Sequence, residues 1–338
     1  MMEYYLKEQM RLHPSMQAQD IVKLCYQAAF GAEHLLGDMQ RVKEYFDSEF
    51  LSVPEKDGML AEAIADDVCR VNLAVWKKLR LPSEWLFNLF AISAGLRREG
   101  GEECFWEYMA QAEKLLLPSD KWRDFVAEYK KGGSRPVHHS ETYRESERPA
   151  YRVVSGRHAR LLPILQCMKA TIQVIAIDGR AASGKTTMVN DLAEITGAGI
   201  VHVDDFFLPK ELRTAERLCA PGGNFHHERL LEEALPFLRG GKAFSYRKFD
   251  CEQMDFNGAR EVAESPLRIV EGAYSCHPVL KEYMDLRVFS DIAPQEQQAR
   301  IEKRNGIKIA GEYASKWIPM EEAYLREYQI KDSAHVVV

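Results

Sequence analysis

Gly179-Arg-Ala-Ala-Ser-Gly-Lys-Thr186 fits the spacing G-x-x-x-x-G-K-[ST] at every fixed position. A nucleotide triphosphate needs a concave run of backbone N–H groups, a cation on its terminal phosphates and a hydroxyl for magnesium, and this stretch can supply all three. Gly179 and Gly184 permit the backbone angles, Lys185 carries the charge and Thr186 offers the metal its hydroxyl. Ala181, Ala182, Ser183 and Thr187 complete the expected cofactor-binding set.

A short pattern also arises by chance as a glycine turn, so its flanks decide. Upstream, Ile172-Gln-Val-Ile-Ala-Ile-Asp178 is a nearly unbroken apolar run rich in β-branched residues, the signature of a strand buried on both faces of a parallel sheet. Downstream, Val189, Leu192 and Ala193 recur at helical spacing and Gly197 supplies a stop. Strand, glycine loop and helix follow in the order the phosphate loop requires.

Further apolar runs at Ile200–Val203, Leu267–Val270, Leu286–Phe289 and Val336–Val338 alternate with helical stretches. Five such strands predict an α/β fold with a parallel sheet flanked by helices. The first half reads differently, as an all-α domain. Leu60, Ile64, Val68, Val71, Val75 and Leu79 fall three or four apart and predict one long helix ending before Pro82. Ile21, Leu24, Cys25 and Ala28 make an earlier helical stripe, and further helices are expected around residues 85–96, 104–116 and 121–129. A break at Lys130-Lys-Gly-Gly-Ser-Arg-Pro136 follows. The domain boundary is expected near residue 168, giving domains 1–168 and 169–338.

The 338 residues are 46% hydrophobic and 28% charged, ordinary for a globular protein with two cores. A net charge of −6 argues against general affinity for nucleic acid or anionic membrane. The expected partner is a small molecule, and a homo-oligomer is compatible with the sequence. Seven scattered cysteines with no C-x-x-C pair predict neither disulfides nor a zinc site. The chain has no apolar stretch of roughly 18 residues and no basic-then-apolar start, so a cytoplasmic protein is expected.

Ligands of open parallel sheets bind at the C-terminal ends of the strands. The second run ends in Val203-Asp-Asp-Phe-Phe207, where Asp204 can take a proton from an attacking hydroxyl or orient magnesium; an acidic helix cap is the alternative. The third ends in Glu271-Gly272, a carboxylate able to hold magnesium or simply a solvated strand end. Arg300 and Arg304, with Lys303 between them, share a helical stretch; the two arginines can clamp phosphate oxygens or pair with Glu296 and Glu302 on a solvated face.

These segments, with Asn224-Phe225, resemble in this order the uridine kinase and nicotinamide riboside kinase branch of the P-loop kinases. Trp317-Ile-Pro-Met320 with Tyr324 is similar to the riboside kinases. The resemblance covers residues 170–338. It implies an ATP- and magnesium-dependent kinase in which Asp204 is the base, Glu271 handles magnesium, and lid arginines close over the phosphates. The acceptor it implies is a small hydroxyl-bearing metabolite, nucleoside or nucleoside-like. Ribose-binding members carry an Asp soon after the Asn-Phe motif, where this chain has His226, and an imidazole does not match a carboxylate bridging two hydroxyls. Tyr246-Arg-Lys-Phe-Asp250 offers compensation, with Asp250 on a hydroxyl and Arg247 on an acidic group of the acceptor. Asp205, Phe207 and Tyr246 complete the candidate acceptor residues.

The N-terminal half is less explicit. Phe30-Gly-Ala-Glu-His34 and His138-His139-Ser-Glu141 bring histidines and acids together at spacings that match no metal-ligand pattern. Solvated or backbone-bonded histidines are expected, and a second catalytic site built from His34, His138 and His139 is the alternative. Two other functional classes stay open: a nucleotide-gated switch ATPase whose helical half binds a protein, and a bifunctional enzyme with a second N-terminal activity. A guanine-nucleotide switch is disfavoured, since Arg304-Asn-Gly-Ile-Lys308 has the wrong order for Asn-Lys-x-Asp.

Overall fold

The stripe Leu60, Ile64, Val68, Val71, Val75 and Leu79 does not form one helix. In the computed structural model, which describes residues 2–32, 37–96, 98–116, 119–251 and 253–338, it folds as a β-hairpin followed by a short helix. Helices α1 (Met2–Leu12), α2 (Ala18–Phe30) and α3 (Met39–Ser52) lead to β1 (Ala61–Ala65), β2 (Val68–Asn72) and α4 (Leu73–Lys78). Leu60, Ile64 and Val68 are four apart, a spacing that fits period two as well as a helix, and Asp66-Asp67 turns the chain so that Ala65 pairs with Val68. The Asn72 side chain then accepts the Ala74 and Val75 N–H groups at 2.9 and 3.2 Å, so a helix starts only at Leu73.

Helices α5 (Ser83–Ala94), α6 (Gly101–Leu116), α7 (Asp120–Lys130) and α8 (Glu141–Glu147) follow, and β3 (Tyr151–Ser155) returns to pair antiparallel with β2. The N-terminal unit is therefore mostly helical but not all-α. It contains a three-stranded antiparallel sheet in the order β1-β2-β3. Phe46, Trp76, Phe90, Phe105 and Trp122 fill its core.

Contacts divide the chain into Met1–Leu162 and Pro163–Val338, ahead of the break expected at residue 168. The short helix α9 (Gly156–Ala159) lies just before this division and α10 (Leu162–Cys167) crosses it. Ile164 and Leu165 are fully buried, which makes them core rather than linker.

The second unit is the expected α/β fold. Strands β4 (Val174–Gly179), β5 (Gly199–His202), β8 (Arg268–Glu271), β9 (Leu286–Ser290) and β10 (Val336–Val337) form one parallel sheet in the order β10-β9-β4-β8-β5. Every residue of β4 is buried, as its unbroken apolar sequence requires. Helix α11 (Lys185–Thr196) leaves the loop after β4 and ends at Gly197, in the left-handed region at φ +73°, whose N–H bonds the Ala193 carbonyl. Helices α12 (Ala215–Cys219) and α13 (His227–Glu233) and an antiparallel hairpin, β6 (Phe244–Asp250) and β7 (Asp255–Val262), are inserted between β5 and β8. After β9 come α14 (Pro294–Asn305), α15 (Ile307–Glu312), a π-helical turn at Tyr313–Trp317 and α16 (Ile318–Glu327). Among the described residues no helix is long and apolar enough to cross a membrane.

Candidate active site

The loop after β4 is packed tightly against its neighbour strand. A Cβ on Gly179 would lie 2.1 Å from the Ser290 carbonyl oxygen, so only glycine fits. Asp178, fully buried below it, accepts the N–H groups of Gly179, Tyr274 and Cys276 and the Tyr324 hydroxyl, the last at 2.7 Å. Burial pushes its carboxyl up against these four donors. Gly184 opens α11 at φ +93°, and Ala182 sits at φ +58°, an uncommon angle for a residue with a side chain. The Lys185 ammonium folds back over the loop to the Gly179 and Arg180 carbonyls at 2.7 and 2.9 Å. The N-terminus of α11 and a cation thus face the same space, an arrangement suited to phosphate.

That space is a cavity of about 590 Å³, and residues from distant parts of the sequence line it. Register brings them together: His202 of β5 pairs with Glu271 of β8, and Ile177 of β4 pairs with Glu271 on its other side. Glu271 is buried. Its Oε1 lies 2.6 Å from His202 Nδ1 and accepts the Thr186 hydroxyl at 3.4 Å. Thr186 and Glu271 are therefore a pair of hard oxygen donors beside the loop, which fits magnesium completed by phosphate and water oxygens. Among the described residues no group of three His, Cys, Asp or Glu side chains forms a protein-only metal cage.

Asp204 and Asp205 follow β5 in a 3₁₀ turn and face opposite ways. Asp205 is buried, receiving Arg260 Nε at 2.5 Å and the Tyr246 hydroxyl at 3.0 Å. Asp204 is open to the cavity and walled by protein elsewhere. The surrounding protein, and then the Glu271 charge, raise its pKa, while Lys185 and His202 pull the other way. A raised carboxylate is a stronger base.

Arg300 and Arg304 of α14 also line the cavity, and Lys303 does not. Arg300 Nη1 donates to the Ala182 carbonyl at 3.2 Å while Nη2 pairs with Glu296 at 2.5 Å. One side chain thus reaches the phosphate loop and makes the expected pairing with Glu296.

Of the candidate acceptor residues, Phe207 lines the cavity and five others do not. Asp205 and Tyr246 are engaged with each other. Arg247 Nε pairs with Glu233 at 3.0 Å, and Asp250 accepts the Gln253 N–H and the Asn257 amide. His226 precedes α13 and its backbone N–H donates to the Phe206 carbonyl at 2.7 Å, and burial lowers its ring pKa. These are the bonds of a scaffold that fixes the 3₁₀ turn and the hairpin.

Sequence reading missed Glu321, Arg213, Asn224 and Tyr274 as lining residues and His202 as the partner of Glu271. Glu321, in the first turn of α16, is 5% exposed and binds the Ala181 N–H; burial pushes its carboxyl up to about 7. Its neighbour Glu322 pairs with Arg180 at 2.5 Å, so α16 is tied to the loop twice. No local motif marks either glutamate.

In the N-terminal unit His138 and His139 do not converge. His138 is exposed and its carbonyl accepts Gln19 Nε2 at 2.8 Å, whereas His139 is buried between Asp20 Oδ1 at 2.8 Å and the Tyr151 hydroxyl at 2.6 Å. Its ring stacks on Tyr143, and burial lowers its pKa to about 4. Glu33 and His34 lie outside the described residues.

No protein-family model matches the sequence, and no curated protein matches it. Among solved structures, the C-terminal part is similar to a possible uridine kinase from Bacillus stearothermophilus, at 21% identity and a TM-score of 0.41, over 53% of this chain and 95% of that one. It is also similar to a provisionally named fructose transport system kinase from Silicibacter sp. TM1040, at 22% identity and a TM-score of 0.43, over 53% of this chain and 97% of that one. Both superpositions are loose, and the functional reading rests on the geometry of the cavity.

Proposed function

We propose that the C-terminal unit is an ATP- and magnesium-dependent phosphotransferase that moves the γ-phosphoryl group to a hydroxyl of a small molecule. The observation that carries this reading is that Lys185, Thr186, Asp204 and Glu271, from three separate segments, line one cavity. A phosphate loop alone binds nucleotide. A loop facing a raised, unpaired carboxylate can also activate a hydroxyl.

The loop amides and Lys185 hold the phosphates at the start of α11. Thr186 and Glu271 are the residues that would hold magnesium, which would neutralise phosphate charge; His202 orients Glu271 through Oε1. Asp204 accepts the proton of the acceptor hydroxyl as that oxygen bonds to the γ-phosphorus and the bond to the β–γ bridging oxygen breaks, releasing ADP. Arg300 and Arg304 offset the charge that spreads over the transferring group. The cytoplasm suits such an enzyme. All seven cysteines are free thiols, in keeping with a reducing compartment.

The test is ADP release by the full chain with ATP and magnesium across a panel of small hydroxyl compounds. Release that rises with a small acceptor and yields its phosphate ester supports the reading. Release that ignores every small acceptor and responds to an added protein favours a switch ATPase instead.

A further inference from the structure

The phosphotransferase reading leaves the lining residues Arg213 and Asn224 without a role. Arg213 follows the 3₁₀ turn at Lys210–Leu212, and its Nε donates to the Leu208 carbonyl at 2.8 Å. It also bonds the Cys251 thiol, which lines the cavity too. Nearby arginines of this unit have carboxylate partners: Arg217 pairs with Glu228, Arg229 and Arg247 share Glu233, and Arg260 pairs with Asp205. Among the described residues Arg213 has no carboxylate partner.

Asn224 is 4% exposed, and its Oδ1 is buried with no hydrogen-bond donor. Its loop is stitched in place. Arg217 Nε donates to the Gly223 carbonyl at 3.2 Å and Nη2 to the Phe225 carbonyl at 3.1 Å, while the Leu208 N–H donates to the Asn224 carbonyl at 3.3 Å. A Cβ on Gly223 would meet the Arg217 carbonyl oxygen at 1.7 Å, so the loop leaves no slack there. Asn224 lines the cavity, and its buried amide oxygen lacks a donor that a bound ligand can supply.

The carboxylates of the cavity complete the picture. Glu271 is held at Thr186 and Glu321 at the Ala181 N–H, both beside the phosphate loop, and Asp204 serves as the base. No carboxylate remains to bridge the two hydroxyls of a ribose diol, and His226 does not line the cavity. What remains outside the phosphate clamp of Arg300 and Arg304 is the Arg213 guanidinium and the Asn224 amide oxygen.

Building on the phosphotransferase reading, we infer that the acceptor is a hydroxylated anion. It carries a carboxylate or phosphate monoester that binds Arg213, a hydroxyl that meets Asp204, and a second O–H or N–H that meets Asn224 Oδ1. A guanidinium grips either oxyanion in a bidentate fork, so the two headgroups share one recognition chemistry.

The experiment uses the full chain loaded with magnesium and a non-hydrolysable ATP analogue. D-gluconate, ribose 5-phosphate, ribose and uridine are titrated by thermal shift, and the same four compounds are then assayed for ADP release with ATP. The expected result is binding and turnover of an anion in preference to ribose and uridine. The better of gluconate and ribose 5-phosphate identifies the headgroup. Arg213→Ala raises KM for that anion at least about tenfold and erases the preference over its neutral counterpart, and Arg213→Lys restores part of it. Preference for uridine, anions that bind wild type and Arg213→Ala alike, or no anion bound at all overturns the inference. Uridine-dependent ADP release would do so while leaving the phosphotransferase reading intact, whereas ATP that is never turned over with any acceptor counts against that reading itself.

Discussion

Both oxygens of the Glu321 carboxylate accept the Ala181 N–H, at 2.9 and 3.1 Å. A buried acid therefore sits against the phosphate loop, its pKa pushed up by burial from the ordinary 4.5 to about 7 against the pull of Lys185. Between these two values the folded chain binds more protons than the unfolded chain. Glu321's contribution to stability is then full below about pH 4.5 and is lost as pH rises to about 7.

Glu321→Gln keeps a carbonyl for the Ala181 N–H and removes the titration. In thermal scans without nucleotide, the wild type should lose stability between pH 5 and 7.5 relative to this variant. Identical slopes would show that Glu321 stays ionised.

Asp204 and Asp205 separate chemistry from scaffold within two residues. Asp204→Asn should lower kcat by about two orders of magnitude or more with little change in melting temperature. Asp205→Ala leaves Arg260 and Tyr246 without their buried partner and should cost roughly 3 kcal/mol of stability. Measuring kcat and Tm on both variants checks the assignment, and a Tm loss in Asp204→Asn as large as that in Asp205→Ala would reverse it.

Lys185→Ala should reduce turnover at least about a hundredfold. The ammonium also bonds two loop carbonyls, so a modest Tm loss accompanies the change while circular dichroism stays native. An unchanged rate contradicts the phosphate-loop assignment.

His139 should remain neutral through the physiological range. Its pKa is lowered to about 4, so its share of stability is present above the ordinary 6.5 and is lost as pH falls toward 4. Ring proton shifts followed by NMR should be flat above about pH 5. A midpoint near 6.5 would mean the Asp20, His139 and Tyr151 cluster is open to water.

The sheet and the loop were legible because their signals are local. Five apolar runs became five parallel strands, and β4 and β8, buried along their whole length, show no alternation to misread. Leu60 to Leu79 misled because spacing of three and four does not separate a helix from a bulged hairpin, and the Asn72 cap was overlooked. The β6–β7 hairpin was missed: β7 is largely exposed and reads as polar loop. The acceptor side was the least legible part. Whether Asp205 or Asp204, Arg213 or Arg247, faces the cavity depends on partners far along the chain, such as Arg260 and Glu233.

The amino-terminal sheet is completed by a strand that comes last in its unit. β3 closes on β2 only after α4 through α8 have been made, so a ribosome-bound chain that stops short of Tyr151 displays β2 with one side unpaired. Until residue 155 emerges, the open side of β2 is a template for mispairing during synthesis.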